Sequence, residues 1–457
     1  PDGEGRLGGV VLPDGASATY VNNGLGLLSE IVDPNGSRWT YARTGMGRLL
    51  ASADPLSRTN RYAHDARGRI AGMTWPDGAT LSITRDGAGN LRRMLYSDGT
   101  DLQYDYDAAH RLVGADGLAL TRDAEGRVVS TADGAAACGA AYDAAGRLVA
   151  ASCNGGAFAV TYAYATGPGG SGLLTGIWDN VTSLRVALSH DADGRLQTLQ
   201  FSNGESITYT WDAADRLLRM QSGMHVDETL AYDAAGRITG KELVAPLLPG
   251  PNLPAESLGL AADAASQLAS PGYVHDAQGR VTATPEHALT WDGASRVTAV
   301  DGVALAYNGL GQVRTRTAGG TTTRLLYNQA IAGAPLVAEQ DADAGQMLRY
   351  YVWTPSGRLL YLVDASAGHA VRIYHFDSTG STLALTDLDE AVTDAYAYDP
   401  YGRLVARTGT HPQPFTFAGA LGVRQEGGGG LYQMRARYYD ARTGRFLSPE
   451  PLWPLIL

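Results

Sequence analysis

The chain has 457 residues, 58 of them glycine and two of them cysteine, with a formal net charge of −11 and a pI near 5.3. That acidic balance argues against nucleic-acid partners and anionic membrane surfaces, and no apolar run reaches the roughly 18 residues that span a bilayer. Two cysteines make no disulfide framework: Cys138 and Cys153 either face each other across one hairpin or stay free thiols, and neither state carries function.

The chain has no initiator Met, and its first residues, Pro13-Asp14-Gly15 among them, already keep the register of a repeat, as expected of a piece of something longer. Asn23, Thr44, Asp65, Asp86 and Asp107 stand 21 residues apart, with Gly26, Gly47, Gly68 and Gly89 three residues behind the first four. A fixed period of this length signals a repeat architecture. Its fullest word is Tyr142-Asp143-Ala144-Ala145-Gly146-Arg147-Leu148, which returns as Tyr232-Asp233-Ala234-Ala235-Gly236-Arg237-Ile238. Altered copies sit at Asp123, at Asp191 with Gly194, at Asp212, at Asp276 with Gly279, and at Asp292. Asp caps its own backbone, and Gly supplies the positive φ that closes a type I turn with a bulge. The aromatic residue before Asp ends one strand; Arg, then Leu, Ile or Val, opens the next. The word is a hairpin corner.

Twelve residues after each of the first four corner positions lies a second turn: Asn35-Gly36, Leu56-Ser57, Asp77-Gly78 and Asp98-Gly99. Asn203-Gly204 falls in the same place after Asp191. Asn-Gly and Asp-Gly predict two-residue hairpin loops, so one repeat is two short strands joined by two different corners. Between corners the residues alternate. Ile207, Tyr209 and Trp211 point one way and Thr208 and Thr210 the other, as in a half-buried antiparallel strand.

This pattern divides the chain. Residues 1–245 are the repeat β-ribbon, broken by a flexible loop at 167–172. Residues 246–272 are a Pro/Ala-rich insertion, in which Pro246, Pro249, Pro251 and Pro254 exclude a paired strand and 258–268 suits one short helix. Residues 273–323 resume the repeat in steps of 16, hence with shorter hairpins. Residues 324–448 form a denser segment, and 449–457 an apolar tail expected to tuck against the rest.

The denser segment carries Tyr398-Asp399-Pro400-Tyr401-Gly402-Arg403, then Leu431-Tyr432-Gln433-Met434-Arg435-Ala436-Arg437-Tyr438-Tyr439-Asp440, then Thr443-Gly444-Arg445-Phe446-Leu447-Ser448. These strings resemble the core of RHS-repeat proteins. The upstream array resembles the YD repeats of the same family, shared with Tc toxin shell subunits and teneurins. The implied fold is all-β: a long antiparallel β-hairpin ribbon coiled into a hollow shell, a YD-repeat spiral. Simple dimensions agree. About 44 strands at about 4.8 Å each make a ribbon about 210 Å long, which must coil. That length closes one ring about 65–70 Å across, so this chain is expected to form an incomplete shell.

Candidate chemistry is sparse. His64, His190 and His275 fill the aromatic slot before a corner Asp, and no Cys or His cluster has metal-ligand spacing. The many carboxylates read as turn residues rather than a glycosidase pair. Gly427 to Gly430 read as a loop lacking the rest of a phosphate-binding motif. His375 and Asp377 read as a buried polar pair fixing the core. Many RHS proteins resemble self-cleaving aspartyl proteases that use two Asp-Pro-x-Gly turns. Here the first position is Ser448-Pro449-Glu450-Pro451-Leu452-Trp453, so Glu450 sits where the family's first processing Asp would be, and no second turn is present.

The expectation is therefore no enzyme, cofactor or metal, and residues that act by architecture. The structural turns are Asp65/Gly68, Asp86/Gly89, Asp143/Gly146, Asp191/Gly194, Asp233/Gly236, Asp276/Gly279 and Asp399/Gly402. The resemblance implies a secreted or cell-surface bacterial shell enclosing and delivering a polypeptide, typically a C-terminal toxin. Its other partners would be a secretion-system component or plug domain, without nucleic acid or stable membrane insertion. Alternatives are an extracellular adhesion or carbohydrate-binding module and a self-processing aspartyl protease shell.

Overall fold

The computed structural model describes residues 2–134, 136–166, 171–250 and 258–450. Residues 167–170 of the expected loop, Pro251 and Pro254, and residues 451–457 of the apolar tail lie outside the described residues. The fold is all-β. Strands from Gly9–Val11 to Ile238–Val244 follow one another in a 23-stranded antiparallel sheet, and those from Leu289–Trp291 to Leu404–Thr408 in a 12-stranded one. Helix among the described residues is limited to single 3-10 turns at Asn154–Gly156, Ala365–Ala367 and Gly419–Leu421. No helix there is long and apolar enough to cross a membrane.

Strand faces follow the alternation of the sequence. In Ser206–Trp211, Ile207 and Tyr209 are buried while Thr208 and Thr210 are exposed. The second corner of the repeat corrects the expected two-residue loop. The Gly36 N–H donates to the Asp33 carbonyl at 3.0 Å and the Asp33 N–H to the Ser37 carbonyl at 3.0 Å. The Asp65 corner closes the same way, Gly68 to Asp65 and Asp65 to Arg69, both at 2.9 Å. Of Asn35 and Gly36 only Gly36 has positive φ, at 83°, whereas a type I′ loop needs two such residues in a row. Both corners of the regular repeat thus belong to one turn class. True two-residue corners occur where the repeat is short: Asp116-Gly117 (φ 46° and 84°) and Asp301-Gly302 (49° and 81°).

The helix expected over 258–268 is also absent. Asp263 to Leu268 is another corner, its Asp263 N–H donating to the Gln267 carbonyl at 2.8 Å and Ala262 bridging Leu268. Ser266 takes the glycine position at φ 61°, and its side chain hid the word from a pattern that asks for Gly. Cys138 and Cys153 are joined in a disulfide. They are directly opposed on strands Ala136–Tyr142 and Leu148–Cys153, with Cα atoms 4.1 Å apart.

The chain divides into two compact units. One comprises the described residues of 1–106, 256–302 and 446–457; the other comprises those of 107–255 and 303–445. The first is built on one buried sheet face, where Tyr41, Tyr62, Met73, Leu81, Ile83 and Tyr96 pack with Trp39 and Trp75 at the edges. Its short repeats lie against that array. A Cβ on Gly293 would stand 2.6 Å from Tyr96 Cβ, so only glycine permits the approach.

The second unit contains strands buried on both faces, such as Leu359–Asp364 and Thr382–Thr386. Continuous apolar runs such as Leu359-Leu360-Tyr361-Leu362-Val363 suit that position where alternation would not. On one side Phe415 packs edge-on against Tyr351 and Trp353, with ring centroids 4.9 and 5.4 Å away. On the other, Phe158 stacks on Tyr350 at 4.1 Å, the Tyr162 hydroxyl donates to the Trp353 carbonyl at 3.0 Å, and the Tyr361 hydroxyl donates to Asp179 at 2.8 Å.

Candidate functional site

The corners are the most repeated arrangement of side chains. At Asp143, Oδ1 accepts the N–H groups of Ala145 and Arg147 at 3.0 and 2.9 Å, and Oδ2 accepts Arg147 Nε at 2.7 Å. Those backbone donors and the guanidinium hold the Asp143 carboxyl below the usual range. In the corners of Asp65, Asp86, Asp143, Asp191, Asp233, Asp276 and Asp399 the matching glycine N–H donates to the Asp carbonyl. The glycines Gly68, Gly89, Gly146, Gly194, Gly236, Gly279 and Gly402 have φ between 79° and 101°.

The Arg of the word does more than open a strand. The Arg147 guanidinium lies 4.7 Å from the ring centre of Tyr164 in the next hairpin, and the Tyr164 hydroxyl donates to the Leu148 carbonyl at 2.9 Å. The same latch joins Arg127, Tyr142 and Val128, and again Arg216, Tyr232 and Leu217. Trp291 serves as the aromatic for Arg280, donating Nε1 to the Val281 carbonyl at 2.7 Å. Each of these four corners is tied to its neighbour by a stacked cation and a hydrogen bond. Sequence reading missed the Arg role, although Arg four residues after Asp was visible in every full word.

The core strings meet around the Asp399 corner. The Tyr432 hydroxyl donates to the Gly402 carbonyl at 2.8 Å, and Phe417 packs against Tyr398, Tyr432 and Tyr439 at 5.4 to 6.2 Å. His64, His190 and His275 end the strands Thr59–His64, Arg185–His190 and Val274–His275.

Glu450 lies on the wall of a cavity of about 370 Å³ in the first unit, with Trp39, Tyr41, Tyr62 and Trp75. The other carboxylate on that wall is Asp54, whose Oδ2 already accepts Arg58 Nε at 2.6 Å. Aspartyl cleavage requires two carboxylates that share a proton, and the described lining residues offer Glu450 and this Arg-bound Asp54.

His375 and Asp377 do not pair with each other, contrary to the sequence expectation, because Asp377 lies beyond the end of the strand Ala370–Phe376 and opens the next corner. Asp377 accepts Lys241 Nζ at 3.2 Å, and the same ammonium lies 2.7 Å from the fully buried Glu228. His375 turns into the interior, where Nδ1 meets Ser222 Oγ at 2.7 Å and Nε2 meets Thr386 Oγ1 at 2.9 Å. Beside it lie Glu205 and His225, joined Oε1 to Nε2 at 2.7 Å. Burial pushes the His375 imidazole down to about 4. Burial is the largest influence on Glu205 and works against its charge, but the hydrogen bond with His225, the two neighbouring imidazoles and the Ser206 N–H together more than offset it, and the carboxyl stays below its usual range. No sequence spacing links residues 205, 225 and 375, so nothing in the pattern pointed to this group.

A ribbon of latched hairpins with an aromatic core defines an RHS/YD-repeat protein, and the comparisons agree. A teneurin YD-shell model matches residues 175–456, and an RHS-repeat model matches 23–59. With more than half its length matched, the chain belongs to the teneurin YD-shell family. Among solved structures it resembles the TcdB2-TccC3 crystal structure at 14% identity and a TM-score of 0.71, over 95% of this chain and 29% of that one. The TcdB2-TccC3-Cdc42 complex matches at 14% identity and a TM-score of 0.65, covering 95% and 30%. The Tc holotoxin pore of Photorhabdus luminescens matches at 13% and 0.56, covering 95% and 28%. The chain thus spans under a third of these solved chains, and at such identity the likeness establishes the fold. No curated protein matches the sequence.

Proposed function

We propose that the chain is a non-enzymatic wall segment of a secreted or cell-surface bacterial shell that encloses and delivers a polypeptide, most simply a toxin. The observation that carries this reading is the YD-shell match over residues 175–456, in a chain whose recurring side-chain arrangements serve the joining of one hairpin to the next. The corner Asp and Gly residues would set the curvature, and the segment from Tyr398 to Ser448 would seal one end, where a secretion component or plug domain could dock. The domain limits 1–245, 246–272, 273–323, 324–448 and 449–457 belong to the same reading. Limited proteolysis of the natural full-length gene product tests it. A cargo segment should survive protease that digests the same segment made alone; equal digestion would overturn the proposal.

One observation favours a second reading, a glycan-binding module. The cavity walled by Trp39, Trp75, Tyr41 and Tyr62 also presents Asn60 and Gln267, and aromatic faces beside amide groups suit a sugar ring and its hydroxyls. Glycan-array binding lost on Trp75→Ala would support it; no binding to any glycan would remove it.

A further inference from the structure

We propose that Glu205, His225 and His375 form a binding site for one divalent transition-metal cation, with zinc the best fit. Each of the three offers a ligand atom, and these atoms all lie within 4.8 Å of one another. Glu205 Oε1 is 2.7 Å from His225 Nε2 and 3.9 Å from His375 Nε2. Tetrahedral zinc with bonds of about 2.0–2.1 Å holds its ligand atoms about 3.3 Å apart, so small side-chain rotations convert the present spacing into a coordination sphere. Two imidazoles and one carboxylate are a donor set that zinc uses, and they leave a fourth position for water or for Thr386 Oγ1, which already lies 2.9 Å from His375 Nε2.

Three further features set this group apart from an ordinary buried hydrogen-bond network. All three residues are at most 4% exposed, and a carboxylate this deep needs a cation beside it. His375 is oriented from behind: Ser222 Oγ engages Nδ1 and turns Nε2 toward Glu205, the arrangement usual for a metal-ligating histidine. Gly223 completes the cradle. A Cβ there would collide with Glu205 Oε2 and come within 3.2 Å of the His225 ring, so glycine keeps the space the carboxylate needs. The cation would replace the proton shared by Glu205 and His225, and would tie the strand Ala370–Phe376 to the hairpin Leu217–Ser222/Val226–Tyr232.

The test uses the purified chain stripped with a chelator, then titrated with zinc chloride and, for its visible spectrum, with cobalt(II) chloride. The expected result is one equivalent bound per chain, intense cobalt bands of a four-coordinate site, and a melting temperature raised by several degrees. His225→Gln and Glu205→Gln, each made separately, should lose the cobalt bands and at least tenfold in zinc affinity. Wild-type protein with neither bands nor a shift at millimolar metal would overturn the proposal without any variant having to fold. Metal binding that survives both substitutions would overturn it as well.

Discussion

Replacing Gly402 by Ala separates two things that a corner glycine does. The residue sits at φ 96°, and an added Cβ would stand 2.5 Å from the Phe417 ring. Left-handed backbone costs a non-glycine residue about 1–2 kcal/mol, and forcing a methyl into a packed ring costs about 1–3 kcal/mol more. The expected loss is therefore about 2–5 kcal/mol. Gly236 is the internal control, because at φ 79° its Cβ would meet nothing within 4 Å. Gly236→Ala should lose only the backbone share, about 1–2 kcal/mol. Hydrogen exchange reads both, as lost protection of the strand amides that flank each corner, Ala231 and Gly240 for one, Ala397 and Ala406 for the other. Phe417→Leu in the Gly402→Ala background should recover part of the steric share and nothing of the backbone share. Equal losses at the two positions, or full recovery with Phe417→Leu, would refute the division.

Reduction of Cys138–Cys153, whose sequence separation is 15, should lower stability in denaturant melts by about 3 kcal/mol; an unchanged midpoint would show that the bridge does not constrain the unfolded chain. The carboxyls of Asp65, Asp107, Asp143, Asp212 and Asp233 are held low, first by the backbone donor of the Arg four residues on and also by its guanidinium, with burial opposing; at Asp191 burial is the largest single influence, and the Arg195 guanidinium and then its backbone N–H overcome it. Their stabilisation is complete above the unfolded pKa, near pH 4, and is lost as pH falls through the lower folded values. The melting temperature should hold down to about pH 5 and fall steeply below 4, and a flat profile to pH 2 would contradict it. Incubated between about pH 4 and 8, the chain should keep its mass: such cleavage needs a proton-sharing carboxylate pair, and the other described carboxylate lining the cavity at Glu450, Asp54, already accepts from Arg58. A new terminus near Ser448 that vanishes on Glu450→Gln would reveal one.

The corner word and the alternation were legible because both are local. Asp143 and Gly146 act within one turn, and Tyr209 and Thr208 differ only in which way a strand residue points. Turn class at Asn35-Gly36 was misread because the dipeptide fits two corners, and only the pairing of Asp33 with Ser37 decides between them. The Asp263 corner was missed because Ser266 occupies a position where glycine is favoured but not required. Two-sided burial around Tyr361 and the meeting of Glu205, His225 and His375 were beyond reach for another reason. They depend on residues 150 or more positions apart, such as Ser222 and His375, and the repeat period carries no information on which turns face which.

The latch has a consequence for the order in which the molecule can be made. Each Arg–Tyr tie reaches only the adjacent hairpin, so a hairpin tied in this way can set as soon as the following one leaves the ribosome, and this part of the ribbon grows vectorially like a row of courses laid in sequence. The contacts of Tyr162 with Trp353 and of Asp179 with Tyr361 span 191 and 182 residues. Until synthesis reaches them, the early hairpins hold an apolar face open to solvent. The stretch from Leu336 to Thr386 thus acts as a late keystone, and the interval before it arrives is when this protein is most exposed to mispairing or capture by a chaperone.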